Sequence, residues 1–173
     1  VRIIGGALRR RRLHFPSRPG LRPTPDRVRE TLFNWLGQDL TGWQCLDLFA
    51  GSGALGFEAA SRGADRVVMV DLDRAVVDAL RQQAQQWEVA QVEIHQAEAV
   101  AYLSRAPGPF DLVFLDPPFG TRLLAEVLGM MATRLAPGGR IYAESPTPLE
   151  VAGWRVLRQT RAGLSHAYLL ELA

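Results

Sequence analysis

Two short stretches of this sequence carry residue types that chemistry needs close together. The first is Asp116-Pro117-Pro118-Phe119. Consecutive prolines stiffen the chain and leave backbone carbonyls outside regular helix or sheet pairing. The Asp116 carboxylate and the Pro117 carbonyl can each accept an N–H, Pro118 keeps the turn rigid, and the Phe119 ring can stack on a planar group. Together they make a clamp for a planar amine. The second is Asp47-Leu-Phe-Ala-Gly51-Ser-Gly53-Ala-Leu-Gly56. Its glycines let the backbone turn tightly and approach a ligand at the start of a helix, where negative groups are favoured. The G-x-G-x-x-G spacing suits a dinucleotide as well as other nucleosides, and also a plain strand-to-helix turn. Asp47 at a strand end needs a partner if buried, and a ligand amine or an ordered water would supply one. Asp71, 20 residues after Gly51, is suited to accept from both hydroxyls of a ribose.

The surrounding pattern supplies elements to position these groups. From residue 44 onward strands and helices alternate: a strand at Cys45–Ala50, a helix at Ala54–Arg62 ended by Gly63, and a strand at Arg66–Val70. Asp73 caps a helix with Val76, Leu80, Ala84 and Trp87 on one face, and strands follow at Val92–His95 and Phe110–Leu115. A helix at Arg122–Leu135 precedes a strand at Gly139–Glu144. The alternation predicts a parallel sheet with helices on both faces. The last two runs, Trp154–Thr160 and Ser165–Leu172, lack a helix between them and are expected to form an antiparallel hairpin at the sheet edge. Ahead of this body, residues 1–15 read as a small hairpin around Gly5-Gly6, and residues 16–25 as a Pro/Gly-rich connector. Thr24 is expected to cap the first helix, with Pro25 at its first position and Val28, Leu32, Trp35 and Leu36 facing the core. Arg27, Glu30 and Asn34 share another face of that helix, either solvated or turned toward a ligand.

Composition narrows the class. The chain has 173 residues, 47% hydrophobic and 22% charged, which suits one globular domain. No apolar run is long enough to span a membrane, and the arginine-rich start lacks the apolar stretch of a signal peptide. One cysteine, Cys45, excludes an intramolecular disulfide framework and fits a cytoplasmic protein. His14, His95 and His166 offer no metal-ligand spacing, so no metal is expected. The net charge is +2, and every one of the 20 basic residues is Arg. Residues 1–29 carry +8, from nine Arg against Asp26 alone, and the rest carries −6. A basic arm on an acidic body points to a polyanionic partner for the arm.

With Arg2-Ile-Ile-Gly-Gly6, Leu21-Arg-Pro-Thr-Pro-Asp-Arg-Val-Arg-Glu-Thr-Leu-Phe-Asn34 and the two chemical stretches in this order, the chain resembles the RsmD family of bacterial 16S rRNA guanine-N2 methyltransferases. The resemblance implies a Rossmann-like, seven-stranded α/β methyltransferase fold that uses S-adenosylmethionine. It implies that Asp47, Phe49, Ala50, Gly51, Ser52 and Gly53 hold the methionine part of that cofactor. Asp71 and Leu72 would meet its ribose, and Ala97 with Glu98 its adenine, through an acidic side chain and a backbone N–H. Asp116 to Phe119 would hold the target amine. Residues 1–25 would form an RNA-binding arm, with Arg9, Arg10, Arg11, Arg12, Arg22 and Arg27 on phosphates, and residues 26–173 the methyltransferase domain. The implied partner is 16S rRNA within a small-subunit particle, met by a monomer. Methylation of DNA adenine or cytosine, or of a protein amide, uses the same clamp, and a non-catalytic nucleotide- or RNA-binding module is the remaining alternative.

Overall fold

A computed structural model describes residues 1–118 and 122–173. Phe119, the expected stacking ring, lies outside the described residues. Parallel strands β1 (Gln44–Asp47), β2 (Arg66–Asp71), β3 (Val92–Gln96), β4 (Phe110–Leu115) and β5 (Leu135–Ser145) are followed by β6 (Trp154–Ala162) and β7 (Ser165–Leu172). They form one seven-stranded sheet in the order β3-β2-β1-β4-β5-β7-β6, with β7 antiparallel to both its neighbours. The terminal hairpin therefore forms as expected, with its second strand inside and its first at the edge.

Helices cover both faces. On one side α1 (Asp26–Leu36), α2 (Ala54–Ser61) and α3 (Arg74–Gln86) pack Leu32, Phe33, Phe57 and Leu80 against Cys45, Val67 and Phe114 of the sheet. On the other, α4 (Ala99–Leu103) and α5 (Leu123–Leu128) pack Leu103, Val127 and Leu128 against Leu46, Val68 and Val113. Burial from both sides explains the apolar run Leu112–Leu115 of β4. β1 lies between β2 and β4, and the chain winds outward from it in opposite senses. That reversal is the topological switch point, and the glycine turn after β1 and Asp116 after β4 leave the sheet side by side there.

Four elements differ from the sequence reading. The N-terminal hairpin shrinks to one bridge, Arg2 with Arg12, and the intervening chain swings out as a wide loop. Packing holds it: Ile3, Leu8 and Leu13 are buried in the core, and Ala7 N–H and Leu8 N–H donate to the Ser61 carbonyl (2.8 Å) and hydroxyl (2.9 Å). Pro25, not Thr24, occupies the cap position of α1, and no side chain caps that helix. The helix expected to run to Leu135 stops at Leu128, before the poor helix former Gly129, and a 3-10 turn at Met131–Thr133 leads into an early, irregularly paired β5. Helix α4 had no apolar period long enough to reveal it.

Candidate active site

A cleft of about 740 Å³ opens at the switch point. Its walls bring together the glycine turn (Phe49, Ala50, Gly51, Ser52), the end of β2 (Asp71, Leu72), the end of β3 (Ala97, Glu98), and Asp116, Pro117 and Pro118. Arg22 and Thr24 close it from the connector, and Glu144 and Leu164 from the C-terminal strands.

The glycine turn is built by close approach. A Cβ on Gly56 would collide with the Met69 methyl, so a larger residue there would have to displace the Met69 side chain for α2 to keep its place on β2. The Gly56 N–H donates to Asp47 at 3.1 Å. This backbone amide is a partner of Asp47 within the chain. Asp47 is buried at 2% exposure and, with Gly53, lies behind the cleft wall instead of on it. Burial raises its carboxyl to about pKa 7, opposed by the Gly56 hydrogen bond and reinforced by the nearby Asp71 charge. Asp71 accepts from Gly51 N–H (2.9 Å) and Asp73 N–H (3.0 Å), one on each oxygen. Each oxygen keeps a second lone pair for a ligand hydroxyl. Asp73 caps α3 as expected, accepting from Ala75 N–H at 2.9 Å.

At the end of β3 the backbone is already engaged. Ala97 N–H donates to the Asp71 carbonyl (3.1 Å), so Ala97 offers the cleft its side chain and not its amide. Glu98 caps α4 with both oxygens, accepting from Val100 N–H (3.0 Å) and Ala101 N–H (2.9 Å). The carboxylate read as an adenine contact thus also caps the helix that the sequence pattern did not reveal, and each of its oxygens keeps a second lone pair on the cleft wall. Leu72 is 67% exposed beside it, an apolar surface available to a flat ring.

Asp116 sits among acids. Burial pushes its carboxyl well above the ordinary range, followed by the Glu144 charge, a hydrogen bond with Glu144 and the field of Asp47; a hydrogen bond from Thr24 works the other way. Glu144 is buried at the end of β5, where Leu115 pairs with Ala143 in the neighbouring strand. The Tyr142 hydroxyl donates to Glu144, and burial, ahead of the Glu144 charge, raises its pKa too. Neither Glu144 nor Tyr142 stood out in the sequence, although the rule that placed Asp116, an acid just beyond a strand's C-terminal end, also finds Glu144. Thr24 was read as a cap and instead faces Asp116. Arg27, Glu30 and Asn34 are exposed and off the cleft wall.

A second acid, Glu58, ties the arm to the body. Fully buried, it accepts from Ile4 N–H (2.9 Å), Gly5 N–H (3.0 Å), Arg29 (2.9 Å) and Arg62 (3.0 Å). Arg29 also donates to the Thr24 carbonyl at 3.1 Å and pairs with Asp26. Arg62 lies 4.6 Å over the Phe33 ring. Arg29 therefore leaves the count of basic side chains open to a polyanion, and Arg18 pairs with Asp73 at 3.3 Å. Arg9, Arg10, Arg11, Arg12, Arg22 and Arg27 are exposed, and among the described residues none of them forms an ion pair.

Among the described residues no cluster of His, Cys, Asp and Glu could hold a metal, and no helix is long and apolar enough to cross a membrane. Cys45 is buried in β1, where burial raises its thiol pKa and leaves it inert.

Residues 1–171 match the family described as conserved hypothetical protein 95. Ribosomal RNA small subunit methyltransferase D of Escherichia coli is 43% identical over 169 residues, 94% of this chain and 85% of that protein. Its namesake in Haemophilus influenzae is 38% identical over 173 residues, 95% of this chain and 90% of that protein. The solved structure of yhhF from Escherichia coli superposes with a TM-score of 0.89 at 41% identity, covering 99% of this chain and 97% of that one. Likeness along nearly the whole length, in sequence and in fold, leaves one assignment: the chain belongs to the conserved hypothetical protein 95 family, the RsmD family, whose fold is the Rossmann-like fold of S-adenosylmethionine-dependent methyltransferases.

Proposed function

We propose that the protein transfers a methyl group from S-adenosylmethionine to the exocyclic N2 amine of a guanine in 16S rRNA. The reading rests on one observation above others: Asp116 and Pro117 stand at the switch point on the wall of a cleft shared with the glycine turn. The cleft fits the cofactor. It lies within the size range of small-molecule sites, and the Asp71 oxygens with their remaining lone pairs suit ribose hydroxyls. Leu72 and Ala97 offer an apolar seat for a flat ring, and Phe49, Ala50, Gly51 and Ser52 line the part assigned to the methionine end. When bound, S-adenosylmethionine supplies an electrophilic methyl on a sulfonium. Asp47 supports this from behind the wall, by holding Gly56 and by its negative field toward a cation.

The chain's own contribution is orientation and charge. The N2 lone pair of guanine is delocalised into the ring and weakly nucleophilic. Asp116 and the Pro117 carbonyl accept its two N–H groups, favour electron density on nitrogen and aim the lone pair at the methyl. As the N–C bond forms, positive charge grows on nitrogen and Asp116 stabilises it. The electron pair of the broken S–C bond would stay with S-adenosylmethionine, left as a neutral thioether, and the proton shed by nitrogen would pass to Asp116, which already accepts its N–H, and from there to water. Asp116 carries out this role ionised, a state that the cation and the arriving N–H donors promote over the protonated one.

The guanine must leave any stack to enter the cleft. The exposed arginines of the arm and Arg22 at the cleft edge supply phosphate contacts. The substrate is a small-subunit particle in the cytoplasm and the acting unit a monomer. The test is transfer of labelled methyl to small-subunit RNA and assembled particles, with DNA and protein as controls. Label is expected on guanine N2 of the RNA, and label on DNA or protein alone refutes the proposal. Asp116→Ala is expected to lower transfer by about 10²–10³-fold with cofactor affinity nearly intact; unchanged turnover would reject the clamp.

A further inference from the structure

The clamp at Asp116 explains how an amine is held but not how the base around it is chosen. Adenine and cytosine also carry exocyclic amines. What distinguishes the edge of guanine beside N2 is a second donor, N1–H, on the adjacent ring atom. A site that reads guanine needs an acceptor for each, side by side.

The ends of β4 and β5 provide such a pair. Leu115 and Ala143 are register partners in adjacent parallel strands, so Asp116, just past the end of β4, stands beside Glu144 near the end of β5. Burial and the neighbouring Glu144 carboxyl together hold the Asp116 carboxyl well above the ordinary range. Both line the cleft. Tyr142, fully buried, donates its hydroxyl to Glu144 and fixes that side chain. Thr24 lines the same cleft from the connector. Two acids held against each other in a buried place, with Asp47 behind them, are costly unless something brings donors to them. Two N–H groups side by side, on N1 and on the amine of the neighbouring C2, supply such donors, one for each carboxyl.

We propose that Glu144 is the specificity-determining residue of this site, accepting N1–H of the target guanine while Asp116 accepts N2–H. This rests on the guanine-N2 reading above. Adenine presents a lone pair at N1, and so does cytosine at the corresponding ring nitrogen, N3. Glu144 repels each, and the desolvated carboxylate is left without its donor. Rejection comes from that repulsion as much as from lost attraction.

2-Aminopurine separates the two acceptors, because it keeps the N2 amine and lacks N1–H. The methylated guanine is first located by mass spectrometry of labelled small-subunit RNA. The same RNA is then rebuilt by ligation with 2-aminopurine at that position, and kcat/KM is measured on both RNAs. The unaltered protein is expected to prefer guanine by about 10²-fold or more. Glu144→Gln can turn its amide N–H toward the N1 lone pair, so the preference should fall below about tenfold through loss on guanine and gain on 2-aminopurine. Tyr142→Phe, which frees Glu144 from its anchor, should shift the preference the same way by a smaller factor. If Glu144→Gln lowers both substrates equally, Glu144 only positions Asp116 and the inference is overturned. Equal rates on the two RNAs with the unaltered protein overturn it without any variant. Absence of guanine-N2 methylation in the first step would instead remove the reading beneath it.

Discussion

Replacing Glu58 with Gln should unlock the arm and destabilise the chain by about 3–5 kcal/mol, the range for breaking a buried ion pair. The geometry shows why an isosteric change is enough. One carboxylate oxygen accepts from Ile4 N–H and Arg29, the other from Gly5 N–H and Arg62, at 2.9–3.0 Å. A glutamine presents one oxygen and one NH₂. Whichever way it turns, two donors face its NH₂, and Arg29 at 0% exposure loses its buried counter-charge. For a chain of this length each kcal/mol moves Tm by about 2–4 °C, so thermal unfolding should shift down by roughly 6–20 °C. Hydrogen exchange supplies the local readout: Ile4 and Gly5 amides should lose protection ahead of the β4 core. The exposed pair Arg66–Glu93, 2.7 Å apart with side chains 41% and 47% exposed, is the control. Glu93→Gln should cost about 0–1 kcal/mol. A Tm drop under about 2 °C for Glu58→Gln, with both amides still protected, would refute the view that Glu58 is the hub.

Two other outcomes follow from charge. Replacing Arg9 to Arg12 together with Ala should weaken RNA binding and flatten its salt dependence from a log–log slope of about −3 to −5 by roughly 3; filter binding between 50 and 200 mM salt reads this, and an unaltered slope would show that the arm is not the electrostatic contact. Asp47→Asn tests the buried acid: with a folded pKa of about 7 against an ordinary value of 3.8, the folded chain holds the proton where the unfolded one does not, so the stability Asp47 contributes is complete below about pH 4 and lost as pH rises to about 7. The variant escapes that loss, so its Tm advantage over the unaltered protein should grow from pH 5.5 to pH 7.5 and then level; a gap that stays constant with pH would mean Asp47 is ionised throughout.

Legibility in the sequence depended on whether a residue's partner was local. The alternating strands and helices, the Asp73 cap and the terminal hairpin rest on short-range patterns, and all are present. Asp71, Asp116 and the glycine turn were placed by a topological rule, since strand ends at a switch point converge whatever the side chains. Partnerships across the sheet were not visible in this way. Thr24 satisfies every local criterion for a helix cap, yet the Arg29 bond to its carbonyl and its own hydrogen bond to Asp116 fix it elsewhere. Glu98 has the composition of a ligand-binding acid, and the two amides that claim it belong to a five-residue helix too short for a periodic signal. Arg29 counted toward the basic arm because sequence shows charge but not burial. Its counter-ion lies 29 residues away, on the helix after the glycine turn.

That last contact changes how the two halves of the molecule are coupled. The arm hangs on Glu58 through the amides of Ile4 and Gly5. Arg29, on the same carboxylate, holds the Thr24 carbonyl, and Thr24 in turn lines the cleft with Asp116. The arm and Asp116 are therefore joined through one buried scaffold, while the exposed arginines proposed to meet phosphate lie outside it. Substitution of the exposed arginines should raise KM for RNA and leave kcat nearly intact. Substitution of Glu58 should loosen the arm and move Thr24 away from Asp116, so kcat should fall as well. The two classes of variant are thus distinguishable by kinetics alone, because only the buried acid lies on the path from the arm to the reacting amine.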